Sequence, residues 1–147
     1  MKILIISTVK PYEGSGSGLA EYAYQLVKHM KPLLKKGGSI DELYALERAE
    51  KNNMAGLIST NTMFKVKIAK IQKDSYDVIH ILDHELGFAA KMLKKAHSTA
   101  KIITTVHDLA RFEKGLHRGL SQKVYNKLVQ GSIKDAINTT SFLVIFR

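Results

Sequence analysis

The chain has 147 residues, 45% of them hydrophobic and 24% charged, which is enough for one domain with its own core. It has no cysteine, which excludes disulfides and cysteine-based metal sites and fits a reducing compartment. A formal charge of +10 favours an anionic partner such as nucleic acid, acidic lipid or a phosphate-bearing substrate, or else marks a solvated lysine-rich surface with no specific partner.

No stretch approaches the roughly 20 apolar residues that span a bilayer. The opening run Met1-Lys2-Ile3-Leu4-Ile5-Ile6 turns polar at Ser7. It is too short for the core of a signal peptide, and residues 2–8 are expected to form a first strand. Gly14-Ser15-Gly16-Ser17-Gly18 is a loop. After it Leu19, Tyr22, Ala23, Leu26, Val27 and Met30 recur at helical spacing on one face. Lys28, Lys31, Lys35 and Lys36 enrich the carboxyl end of that helix, where cations suit the dipole. Pro32 should kink or end it, and Gly37-Gly38 closes the unit.

Residues 39–47 fit a short strand or a helical turn. A strand near Leu43–Leu46 is expected, because a βαβ unit needs one there. Residues 48–60 are polar and predicted irregular. Residues 62–73 carry Phe64, Ile68 and Ile71, the pattern of an amphipathic helix. Tyr76–Leu82 is a predicted strand, and Glu85–Ala96 a helix with Leu86, Ala89, Ala90 and Leu93 inward. Lys101–Val106 is a strand, and residues 118–137 a basic helix with Leu120, Val124, Leu128 and Val129 inward. Phe142–Phe146 is a last strand. Strands alternating with helices predict a single α/β domain over 1–147, with a mostly parallel, Rossmann-like sheet and helices on both faces. A parallel sheet is normally covered on both faces, so a chain ending on an apolar strand is expected to be the first part of something longer.

Three strands deliver polar or flexible groups at one sheet edge. Ile3–Ile6 leads to Ser7-Thr8 and the glycine loop, Val78–Leu82 to Asp83-His84-Glu85, and Ile102–Val106 to His107-Asp108. In open α/β sheets the ligand crevice lies outside the carboxyl ends of the strands, so these groups are expected to share one site. The loop glycines let backbone N–H groups approach a ligand, and the following helix offers its positive end to phosphate. The plain alternative is a flexible turn. The loop is not the dinucleotide fingerprint, which needs its last glycine where Leu19 stands. It is not a Walker A loop, which needs Gly-Lys-Ser/Thr.

His107 at a strand end fits a general base or a donor to a sugar hydroxyl or phosphate, or a structural histidine. Asp83 suits the cap of the following helix, and Glu85 its first turn. His80 lies inside its strand and is expected to be packed. His29, His97 and His117 have no assignable partner. No ligand spacing supports a metal held by His84, His107 and an Asp. With neither a Gly-x-Ser-x-Gly elbow nor a cysteine nucleophile, hydrolase triads lack support. Arg111, Lys114, Arg118, Lys123 and Lys127, interleaved with Phe112, Leu116, Leu120 and Tyr125, fit contact with anionic lipid or an ordinary solvated helix face.

The order of these segments resembles the start of GT-B glycosyltransferases of family 4 (group 1). The resemblance rests on Lys2-Ile3-Leu4-Ile5-Ile6-Ser7, on Gly16-Ser17-Gly18-Leu19-Ala20 opening a helix, on Tyr76-Asp77-Val78-Ile79-His80 with Asp83-His84-Glu85-Leu86-Gly87, and on Lys101–Asp108. It implies an amino-terminal, acceptor-side domain whose carboxyl-terminal donor domain is missing from these residues. It implies transfer of a sugar from a nucleotide-diphosphate-sugar to a sugar or lipid-linked acceptor hydroxyl, metal-independent, without a cofactor and with retention of configuration. His107 is then the catalytic candidate. Gly16, Ser17, Gly18, His84, Glu85 and Asp108 are substrate-binding candidates. A cytoplasmic location follows, peripheral at the inner membrane face, with nucleic acid not expected as a partner. Residues 39–60 depart from the family pattern. The rival readings are a nucleotide-binding domain of another enzyme class and a non-catalytic basic module for nucleic acid or anionic membrane.

Overall fold

The computed structural model describes residues 1–14, 18–46, 54–71, 73–107 and 120–145; side chains are described from residue 62 in the second helix and from residue 127 in the fourth. Ile3, Leu4, Ile5 and Ile6 are all buried. Successive side chains in a strand point to opposite faces, so both faces are covered there, as in the centre of a parallel sheet. β1 (Lys2–Val9) accordingly lies between β2 (Ser39–Leu46) and β3 (Val78–Ile81). β4 (Lys101–Val106) and β5 (Phe142–Ile145) extend the sheet, whose order is β2-β1-β3-β4-β5 with every pairing parallel. The fold is α/β and Rossmann-like.

Helix α1 (Gly18–Met30) sets Ala23 and Val27 against Ile3, Ile5 and Leu82 on one face. Helices α2 (Met54–Ile71) and α3 (Phe88–Ala96) cover the other face, where Phe64, Ile68 and Leu93 meet Leu4, Ile6, Ile79, Ile81 and Ile102. α4 (Leu120–Thr139) packs beside α3. This division follows from the sheet order. β1 to β2 is a step in one direction, and the steps to β3, β4 and β5 run in the other. A single crossover hand sends α1 to one face and α2, α3 and α4 to the opposite one.

Four details differ from the sequence expectation. β2 begins at Ser39, well before Leu43. Residues 54–60, expected to be irregular, already belong to α2. Their run of Gly56, Ser59, Thr60 and Asn61 is a poor helix former, but propensity is a weak prior, and the crossover helix is held by packing of Phe64 and Ile68. The helix expected over 85–96 is broken into a 3-10 turn, His84–Leu86, and α3 from Phe88. Leu128, expected inward, is 47% exposed. The expected inward Leu120 and Val124 have side chains outside the described residues; among those described, the buried residues of α4 are Val129, Ser132 and Ala136, because two small residues let the helix approach the backbone at Gly87. Leu86, Ala89, Ala90 and Leu93 are buried as the spacing predicts.

Candidate functional site

The strand order reverses between β1 and β3, since the chain leaves β1 for β2 and returns on its other side. Such a switch point opens a crevice at the carboxyl ends of the two strands. β1 ends there in Ser7-Thr8-Val9, β3 leads into Leu82-Asp83, and the neighbouring β4 leads into His107. α1 starts at the same edge with Gly18.

Hydrogen bonds tie these ends together. The Thr8 hydroxyl donates to Asp83 Oδ2, which joins β1 to β3 across the switch point. The other oxygen, Oδ1, accepts the Glu85 N–H at 3.0 Å and so caps the 3-10 turn, as expected for Asp83. His84 Nδ1 lies 3.7 Å from the same Oδ1. His80 Nε2 and Thr105 Oγ1, 2.9 Å apart, tie β3 to β4. His107 meets the ring of Tyr22 edge-on, with centroids 5.2 Å apart, so the first turn of α1 packs against the end of β4. Gly14 N–H donates to Glu21 Oε2 at 3.0 Å, which fastens the start of the glycine loop to the same turn.

A further tie comes from far along the chain. Ser132 Oγ donates to the Glu85 carbonyl at 2.9 Å and accepts from the Phe88 N–H at 3.0 Å. α4 therefore clamps the turn that carries His84 and Glu85.

Burial of His80, and secondarily the nearby His107, pushes the His80 pKa down to about 4. His80 is thus neutral near pH 7 and serves as a hydrogen-bonding strut, in line with the expectation that it is packed. His97, which had no assignable partner, stacks edge-on against Tyr76 at 5.6 Å at the opposite end of the sheet. Its pKa is lowered by burial, against a smaller raising effect from Asp74.

Of the candidates named from sequence, Gly18, His84, Glu85 and His107 reach one sheet edge. Gly16, Ser17, Asp108, Arg111, Lys114 and Arg118 lie outside the described residues. Lys123 is on α4 with its side chain outside them. Sequence reasoning placed Thr8 among the polar groups at the strand ends and Tyr22 on the inward face of the helix without giving either a role at the site, and it did not single out Thr105 or Ser132. Ser132 carried no sequence signal.

Among the described residues no three His, Asp or Glu side chains converge as a metal set, and no helix is long and apolar enough to cross a membrane. No protein-family model matches the chain, and no curated protein does.

Proposed function

We propose that the chain is the acceptor-side domain of a glycosyltransferase that moves a sugar from a nucleotide-diphosphate-sugar to an acceptor hydroxyl. The observation that carries this reading is the convergence of α1's amino end, the Thr8–Asp83 pair, His84, Glu85 and His107 at one switch-point crevice. On this reading the acceptor oxygen forms a bond to the anomeric carbon, the bond from that carbon to the diphosphate breaks, and the hydroxyl proton passes to the departing diphosphate oxygen. Negative charge then grows on the diphosphate, where N–H groups at the start of α1 are placed to offset it. His107, steadied by Tyr22, orients the transferred sugar by hydrogen bonding. Asp83 is engaged by Thr8 and by the Glu85 N–H, and Glu85 and His84 on the adjoining turn are assigned to the acceptor side.

The test has two parts. Titration of the chain with a nucleoside diphosphate should shift NMR amide signals at Thr8, Gly18, Asp83–Glu85 and His107, and NAD should shift them less. Perturbation confined to other surfaces, or tight NAD binding, would sink the reading. In the two-domain enzyme His107→Ala should lower turnover about 100-fold, the low end for a positioned proton-transfer or hydrogen-bonding group. Unchanged turnover removes His107 from the mechanism.

A further inference from the structure

A serine inside a helix ordinarily points to water or bonds back to its own helix. Ser132, within α4, does neither. It is 5% exposed. Its single hydroxyl proton goes to the Glu85 carbonyl at 2.9 Å, and its oxygen accepts the Phe88 N–H at 3.0 Å. These two partners stand on opposite sides of Gly87, where the 3-10 turn His84–Leu86 gives way to α3. One hydroxyl thus spans the joint. The Phe88 N–H is among the donors that a helix leaves without an internal partner at its start, so the same hydroxyl also caps α3.

The two sides of the joint are not equally fixed. α3 is held by Ala89, Ala90 and Leu93, all buried in the core. The turn has one buried apolar anchor, Leu86, and hydrophobic burial is not directional. Its orientation about that anchor is left to hydrogen bonds, and the Ser132 bond ties it to a separate helix. α4 is a firm support for that bond. The Thr104 and Thr140 hydroxyls, 2.7 Å apart, join its end to β4, and Asp135 pairs with Lys91 of α3 at 3.6 Å. We infer that Ser132 is a positioning residue for the acceptor half of the crevice. It fixes the turn that carries His84 and Glu85 and leaves the donor half, at α1 and His107, unaffected. What the two halves bind rests on the glycosyltransferase reading; the clamp itself rests on the geometry.

The test deletes the hydroxyl with Ser132→Ala. Its control is Tyr76→Phe, which removes another buried residue's hydroxyl, the one that donates to Asp41 Oδ2 at 3.1 Å at the opposite end of the sheet. Circular dichroism should show both variants folded. The Leu86 and Gly87 N–H groups bond the Asp83 and His84 carbonyls within the turn. In Ser132→Ala their hydrogen exchange should quicken about tenfold, because opening the turn no longer breaks the Ser132 bonds. In the two-domain enzyme Ser132→Ala should raise the acceptor KM about tenfold and leave the donor KM unchanged. Tyr76→Phe should alter neither the turn's exchange nor either KM. Ser132→Cys, nearly isosteric but a weak donor, should fall between wild type and Ser132→Ala in both measurements. Unchanged exchange in Ser132→Ala overturns the clamp. An equal rise in both KM values, or an equal rise in acceptor KM in Tyr76→Phe, makes Ser132 a stabilising residue only and overturns the positioning role. A wild-type enzyme without transfer activity sinks the glycosyltransferase reading instead, and the exchange rates still decide the clamp.

Discussion

Gly87 sits between the 3-10 turn and α3 with φ −56° and ψ −26°, values any residue adopts. Its glycine is therefore required by space alone. A methyl group added there would overlap the Ser132 carbonyl oxygen and lie 2.9 Å from Ala136 Cβ. The first obstacle is helix backbone, which cannot rotate aside, so α4 must withdraw by about 1 Å to restore ordinary contact distances. Ser132 Oγ then leaves hydrogen-bonding range of the Glu85 carbonyl and the Phe88 N–H, now at 2.9 and 3.0 Å. Two lost bonds cost about 1 kcal/mol each, and overpacking adds about 1–3 kcal/mol. The smaller backbone entropy of unfolded Ala returns about 0.5 kcal/mol. Gly87→Ala should thus destabilise by about 3 kcal/mol and lower Tm by about 10 °C for a chain of this size, measured by thermal circular dichroism. Gly131→Ala on the same helix meets nothing within 4 Å and should stabilise by about 0.5–1 kcal/mol. If Gly87→Ala melts with the wild type, the close approach of α4 to the turn is wrong.

Two further outcomes follow from the core and from His80. With its folded pKa at about 4 and an unfolded value near 6.5, His80 takes up a proton on unfolding between those pH values. Stability is therefore full above pH 6.5 and falls as pH drops toward 4, by about 3 kcal/mol over the whole window. His80→Asn should flatten this decline in urea midpoints measured at pH 7 and 4.5; a parallel decline in the variant would assign it to other groups. Phe64 is 0% exposed and meets Phe88 edge-on at 6.3 Å, so Phe64→Ala should cost about 3–5 kcal/mol in urea unfolding, and a loss below 1 kcal/mol would remove Phe64 from the core.

The sheet was legible because its strands carry their own signal. Ile3–Ile6 is a continuous apolar run and Ile102–Val106 a continuous β-branched one, and burial on both faces asks for such patterns. α1 was legible from its 3.6-residue spacing. The start of α2 was not, because Gly56, Ser59 and Asn61 carry local preferences that distant packing of Phe64 and Ile68 overrides. Leu128 was misassigned for a related reason. Hydrophobicity alone ranks leucine above Ser132 and Ala136 for an inward position. The inward face of α4 was chosen instead by how near a helix can come to Gly87, and closeness favours the smaller side chains.

The same contrast runs through the candidate site. Strand ends advertise themselves, so His84, Glu85 and His107 were found from sequence. What holds them in place did not show, since each tie joins residues far apart in the chain: Thr8 with Asp83, His80 with Thr105, Ser132 with Glu85. These ties differ in kind. Thr8–Asp83 and His80–Thr105 join strands already adjacent in the sheet, and they fix side chains on a frame that backbone pairing makes rigid. Ser132–Glu85 instead fastens a turn to a helix from another part of the chain, so the position of His84 and Glu85 depends on α4 remaining docked. A disturbance of α4 should then reach His84 and Glu85 before it reaches His107, whose neighbours are β4 and Tyr22 of α1. The Gly87→Ala variant separates the two halves of the crevice on that basis. In NMR spectra its amide shifts should be large at His84–Phe88 and small at Tyr22 and Val106. Equal shifts at both places would mean that the edge responds as one body, and that α4 supports the whole crevice.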